Sequence, residues 1–197
     1  MPSKQSHHGS KLPEILDASI LLFHEKGYDA TSVQDVATSV GILKGSLYYY
    51  ISSKEDLLFG IVERVLAELV PHLERWRTLE GNNLDRIVTF MEEYVLHVIA
   101  HRESIGVMFR DFAAMSDSRR EKVYQFERQY DTFLADLIEA GQQDGSVAKF
   151  DETRLVVNAL FGMANWTYRW YRPNGRYTPE EIAKQIASLT RLSLAQN

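Results

Sequence analysis

Lys44, Gly45, Ser46, Leu47, Tyr48, Tyr49, Tyr50 and Ile51 stand in a row, and on a helix turning about 100° per residue they sort into two faces. Leu47 and Ile51 point the same way, towards a core, while Gly45, Ser46 and Tyr49 lie opposite. Lys44 begins the helix, where free backbone N–H groups also meet a phosphate well. These are groups for holding phosphate and reading polar edges, not for making or breaking bonds. A second set, Glu93, His97 and His101, recurs at i, i+4 and i+8 along one helix face and carries metal-ligand chemistry. Adjacent pairs are close enough to share an ion, but all three on one helix would be strained, so no metal and no other cofactor is assigned. A third set is the polar stripe Asn158, Asn165, Arg169 and Arg172, with Gly162 in it and Trp166 and Trp170 beside it. Such a stripe would line a ligand cavity or form the wet rim of a subunit interface.

Bond-making chemistry has little to work with. The chain has no cysteine, which removes disulfides, thiolate nucleophiles and cysteine-based metal sites. No GxSxG, GxGxxG or P-loop occurs, and the Glu-x-x-His motif of di-iron bundles is absent. An enzyme is therefore not expected. The net charge of −5 argues weakly against a nucleic-acid partner. Up to residue 60, Lys4, Lys11, Lys26, Lys44 and Lys54 are outnumbered by Glu14, Asp17, Glu25, Asp29, Asp35, Glu55 and Asp56. No basic face is advertised by composition, so the case rests on motif and geometry.

The elements that must position these residues read as helices. At 197 residues, 45% hydrophobic and 25% charged, the chain fits an ordinary globular protein with a small and a larger part, or one helical body. Residues 1–10 have no apolar stretch of the signal-peptide kind and read as a polar, flexible arm. The most apolar stretch, Leu155 to Trp166, is too short to span a bilayer, which makes the cytoplasm the expected location. No sustained two-residue alternation suggests strands. A first helix over Leu12–Lys26 is stopped by Gly27. Thr31 and Gln34 form a capping box for a second helix through Ser39, which Gly41 ends. A third runs from Lys44 to Tyr50, and Ser52 with Glu55 opens a long fourth helix over 53–76. Further helices are expected near 84–100, 103–114, 118–143, 152–171 and 179–195. The fold class is thus all-α, with about nine helices.

Three short helices, the last two joined at a glycine turn, match the helix-turn-helix plan, in which the third helix enters the major groove of DNA. At these residues the sequence resembles the TetR family of bacterial regulators. The matching run is Gly27 to Ala37, then Val40-Gly41-Ile42-Leu43-Lys44-Gly45-Ser46-Leu47-Tyr48-Tyr49-Tyr50-Ile51, then Ser53-Lys54-Glu55-Asp56-Leu57-Leu58. Two departures are mild: the family often has His at Tyr50 and Phe at Ile51. The resemblance implies a DNA-binding domain over 11–58, the 53–76 helix as link, and a ligand-binding and dimerisation domain over 77–197. It places Thr31, Ser32, Lys44, Tyr48 and Lys54 on phosphate, and Gly45, Ser46, Tyr49 and Tyr50 near base edges. One of the three tyrosine rings, taken as Tyr48's, is expected to pack partly inward.

The helix over 152–171 is apolar nearly all round, from Leu155, Val156 and Val157 to Trp166 and Trp170, so it should be buried on two sides. In the resembled family the last two helices pair with those of a second copy. That implies a homodimer on a palindromic operator, its recognition helices about 34–36 Å apart. Trp166-Thr167-Tyr168-Arg169-Trp170-Tyr171-Arg172-Pro173-Asn174-Gly175 is similar to the same region of TetR-type repressors of fatty-acid and steroid catabolism, which answer to acyl-CoA thioesters. This favours the cavity reading, with Asn165, Trp166, Arg169, Trp170 and Arg172 as ligand residues. Arginines suit the CoA phosphates, and Phe109 and Phe112, with Met108, Met115 and Phe133, are the candidate acyl tunnel. The expected function is a repressor released from DNA by a small hydrophobic effector. The competing expectation is a helical lipid or metal binder that never touches DNA, for which the Lys44–Tyr49 surface would have no use.

Overall fold

The computed structural model describes residues 11–196; the expected arm at 1–10 lies outside them. The described residues form α1 (Lys11–Lys26), α2 (Val33–Ser39), α3 (Lys44–Leu47), α4 (Lys54–Ala67), α5 (Val70–Arg77), α6 (Asn83–Ala100), α7 (Arg102–Asp111), α8 (Asp117–Asp144), α9 (Thr153–Asn165), α10 (Thr167–Trp170) and α11 (Pro179–Leu194). A 3-10 turn covers Phe112–Ala114, and one isolated bridge pairs Val147 with Ala195, with no strand among the described residues. The expected helical bodies are all present, but two are broken once. The 53–76 helix is α4 plus α5, the latter carrying Pro71 in its first turn, where a missing N–H costs nothing. The 152–171 helix is α9 plus α10, parted at Trp166.

By contacts the chain forms two compact units. One runs up to Val65 and also takes in Glu103–Glu121; the other holds Leu66–Arg102 and the described residues from Lys122 on. Residues 103–121, grouped by sequence with the C-terminal part, belong to the N-terminal unit.

In the first unit Ile15, Phe23, Val36, Ala37, Leu47, Leu57, Leu58, Ile61 and Val62 are fully buried. Gly27 stops α1 at φ +91 and Gly41 turns the chain between α2 and α3 at φ +67, a backbone region that side chains rarely adopt. Arginines from later in the chain brace this unit. Arg64 pairs with Asp17 at 2.8 Å. Arg110 donates to the Phe23 carbonyl at 2.5 Å and the His24 carbonyl at 3.4 Å, satisfying groups that the end of α1 leaves open. Arg119 pairs with Asp56, and Glu55 accepts from the Ser116 N–H at 2.7 Å.

Burial alone would raise the Asp56 pKa. The Arg119 guanidinium and the N–H groups of Ser52 and Ser53 outweigh it and take the pKa from 3.8 down to about 2. A folded-state pKa below the unfolded one gives stability that is complete above the unfolded value and is lost as pH falls through the folded one. Replacing Asp56→Asn should therefore lower Tm at pH 5 and above, with the gap from the parent protein closing between pH 3.8 and about 2. A gap that stayed constant across that window would assign the loss to packing instead.

The second unit is built around α6. Ile87, Phe90, Met91 and Val95 are fully buried, and α11 packs along this helix more extensively than any other element. Phe90 meets Trp76 edge-on at 4.7 Å, Phe161 at 6.0 Å and Phe133 at 5.4 Å. Thr178 and Glu181 cap α11 reciprocally, with Pro179 at its start, and Arg191 pairs with Asp85 of α6 at 2.6 Å. No helix among the described residues is long and apolar enough to cross a membrane.

Candidate nucleic-acid interface and effector site

Leu47 is fully buried and Ile51 is 5% exposed, so the two-faced pattern of the third helix holds. That helix is shorter than expected: α3 ends at Leu47, and Tyr48, Tyr49 and Tyr50 lie in the turn after it. Tyr49 stands out at 89% exposed beside exposed Lys44 and Gly45, with Ser46 half-buried. A Cβ on Gly45 would meet nothing within 4 Å, which leaves this surface shallow. Tyr48 is 48% exposed, so its ring is partly covered, and Tyr50 is half-buried. Leu43, 79% exposed next to Lys44, is an apolar member of the same face that helical periodicity did not single out.

Thr31 departs from expectation. It is buried, and its hydroxyl donates to the Gly27 carbonyl at 2.8 Å and the Leu22 carbonyl at 3.3 Å. It fastens the chain to the end of α1 instead of facing outward. The capping box of α2 is one residue on: Ser32 accepts from the Asp35 N–H at 3.1 Å, and Asp35 accepts from the Ser32 N–H at 2.8 Å. The box expected at Ser52 and Glu55 shifts likewise, to Ser53 and Asp56. Exposed Ser32 therefore marks the outward start of α2. Lys54 lies 4.1 Å over the Tyr28 ring and donates to the Asp29 carbonyl at 3.3 Å.

The surplus of acids is largely consumed within the first unit. Glu14 pairs with Lys11, Asp17 with Arg64, Asp35 with its own helix start, and Glu55 and Asp56 with Ser116 and Arg119. Between Asp35 and Glu55 the sequence holds no acid, and Lys44 and Lys54 are its only lysines or arginines. This stretch of sequence is thus locally cationic inside an acidic protein.

The expected effector residues are drawn from both units. Phe109, 45% exposed, and half-buried Phe112 belong to the first unit, as do buried Met108 and Met115. Asn165, Trp166, Arg169, Trp170 and Arg172 belong to the second. There Asn165 turns inward and accepts from the Tyr94 hydroxyl at 2.9 Å. Burial, then the nearby Glu127 carboxylate, push the Tyr94 pKa up; burial and then Asp131 do the same for Glu127. Trp166 and Trp170, 59% and 44% exposed, line an outer groove of about 1030 Å³ with Gly162, Met163, Ile186 and Leu189. Arg169 and Arg172 are exposed, and Arg172 donates to the Arg169 and Tyr171 carbonyls at 3.1 and 3.0 Å. Tyr94 and Glu127 are polar members of the interior that sequence reasoning missed, for each sits within an otherwise ordinary amphipathic helix.

Comparisons with known proteins agree with this architecture. A family profile described as "Bacterial regulatory proteins, tetR family" matches residues 15–61, and one described as "Tetracyclin repressor-like, C-terminal domain" matches residues 80–194. The chain is 30% identical over 187 residues to the HTH-type transcriptional repressor KstR2 of Rhodococcus jostii, covering 92% of this chain and 90% of that protein. The structure of the ketosteroid transcriptional regulator KstR2 of Mycobacterium tuberculosis, 22% identical, superposes with a TM-score of 0.87 over 99% of each chain. AibR, solved in complex with isovaleryl coenzyme A and operator DNA, is 25% identical with a TM-score of 0.82, over 91% of this chain and 97% of its own.

Proposed function

The chain belongs to the TetR family of bacterial transcriptional regulators, and from that premise we propose that it is a homodimeric repressor released from a palindromic operator by an acyl-CoA thioester. It is a DNA-binding regulator that answers to a ligand. The observation that carries the DNA reading is the outward placement of Lys44, Gly45, Ser46 and Tyr49 in an acid-free stretch of sequence, anchored by buried Leu47 and Ile51. Lys44, Lys54, Tyr48 and the start of α2 at Ser32 hold phosphate; Gly45, Ser46, Tyr49 and Tyr50 approach the bases. Thr31 supports this surface from beneath. No catalytic residue is assigned, and the cytoplasm is the compartment in which a regulator of this kind meets its operator.

The effector reading draws on AibR, whose ligand is a coenzyme A thioester, and on the Trp166–Gly175 segment. Arg169 and Arg172 suit the CoA phosphates, and the Asn165–Tyr94 hydrogen bond offers a polar stop beside the aromatic cluster of Phe90 and Phe161. The dimer reading rests on exposed apolar side chains of the last long helices: Leu155, Trp166, Leu189 and Leu192 are 67%, 59%, 44% and 75% exposed. The DNA-binding part over 11–58 and the regulatory part from 77 on remain our functional division, with Glu103–Glu121 packed in the first unit.

Fluorescence anisotropy on DNA from upstream of its own gene tests the proposal. Isovaleryl-, long-chain and steroid CoA thioesters are titrated in, with the free acids and CoA alone as controls. Release by a thioester but by neither control supports the reading; specific binding that no thioester disturbs removes the effector class. Within the same assay, Tyr49→Ala should lose about 10–100-fold in operator affinity, as for a lost base contact, with little change on scrambled DNA. Lys44→Ala should weaken both duplexes and reduce the salt slope by about 1. Equal losses for both variants on both duplexes would take Tyr49 off the bases.

A further inference from the structure

We infer that Glu68, His97 and His101 form a binding site for a divalent transition-metal ion of the zinc class. The sequence set Glu93, His97 and His101 on one helix face, where three ligands would be strained. The structure removes Glu93 from that set: its carboxylate accepts from the Trp76 indole at 2.6 Å and pairs with Arg75. The carboxylate that does reach the histidines comes from Glu68, in the corner between α4 and α5. One ligand atom from each of Glu68, His97 and His101 lies within 4.8 Å of the others. Glu68 Oε2 is 2.9 Å from His101 Nε2, and the two imidazole centroids are 4.4 Å apart.

Ligands at about 2 Å from a tetrahedral ion stand about 3.3 Å from each other. The Glu68–His101 pair at 2.9 Å is slightly closer than that spacing, and all three ligand atoms lie within 4.8 Å. An ion pair between Glu68 and His101 needs one histidine, and the second ring, one helical turn back, directs a further nitrogen donor to the same point. Two imidazoles and one carboxylate are a ligand set suited to zinc that leaves a fourth position open. His97 and His101 line a hollow of about 380 Å³, together with His72, Leu96 and Ala100 among others. His97 and His101 also sit at the C-terminal end of α6, where the helix dipole favours a cation. An ion there would pin the helix break at residues 68–69 to the end of α6.

The test is zinc titration of the full chain, stripped of metal, in competition with a chromophoric chelator. One zinc per chain is expected, with affinity falling at least about 100-fold in His97→Ala and in His101→Ala. Glu93→Gln and the double variant His7→Ala/His8→Ala should bind as the parent does. Absorption by Co2+ in the unmodified protein provides a measurement that needs no variant: a tetrahedral visible band supports the site. No uptake of zinc and no cobalt band would overturn it. So would binding that survives removal of both His97 and His101, or that vanishes with His7 and His8.

Discussion

Replacing Leu189 and Leu192 together with aspartate should turn the protein into a monomer and lower operator affinity by about 10²–10⁴-fold, the range lost when two linked binding events become separate. Both side chains are already exposed in the single chain, at 44% and 75%, so the substitution removes little internal packing. In a dimer the same leucines would leave water, each contributing about 1.5–3 kcal/mol if fully buried. An aspartate at 189 must instead be desolvated in the groove that Leu189 shares with Trp166 and Gly162. Analytical ultracentrifugation reads the mass and anisotropy reads the DNA. Circular dichroism should be unchanged, which separates this outcome from misfolding. A variant that stays dimeric would place the interface elsewhere and remove the last two long helices from it.

Trp76→Ala should cost about 3–5 kcal/mol of stability, the range for truncating a buried aromatic, against about 5–15 kcal/mol for a typical domain. Trp76 is 1% exposed and sits between the His72 and Phe133 rings, at 5.5 and 6.2 Å, with Phe90 edge-on at 4.7 Å. Its indole N–H also donates to Glu93. Trp76→Phe keeps most of the volume and drops that donor, so its loss should be nearer 1–3 kcal/mol, about the cost of an unpaired polar group. Urea denaturation of both variants checks the order. A Trp76→Ala loss below about 1 kcal/mol would mean that the aromatic cluster closes over the gap, since such costs depend on how far a cavity collapses.

The parts of this fold that periodicity governs were legible from residue types. Leu47 and Ile51 share the buried face that their spacing predicts, and α1, α6, α8 and α11 begin and end within a few residues of expectation. What escaped depends on contacts between distant segments. Thr31–Gln34 and Ser32–Asp35 both have the spacing of a capping box, and the Gly27 carbonyl together with the Leu22 carbonyl, nine residues back, draws Thr31 inward. Leu66, Leu69, Leu73 and Trp76 are all buried and keep helical spacing straight through the break at 68–69. Periodicity is therefore blind to that break, and Pro71 is its one local signal. The expected effector set came from a short run of sequence plus aromatic residues elsewhere. Nothing in their spacing could tell that Phe109 and Phe112 pack in a different unit from Asn165. Glu68 was invisible as a ligand because no periodic rule links it to His97.

The acid-free stretch between Asp35 and Glu55, with two lysines in it, bears on how the cell must supply this protein. Each phosphate contact made by a cation strengthens attachment to any duplex, whatever its sequence. A reader with few such contacts spends little time on the rest of the chromosome, where a genome offers about 10⁶–10⁹ competing positions. Fewer molecules are then held in reserve on irrelevant DNA. A small standing pool can keep its operator occupied, and clearing that operator takes correspondingly little effector.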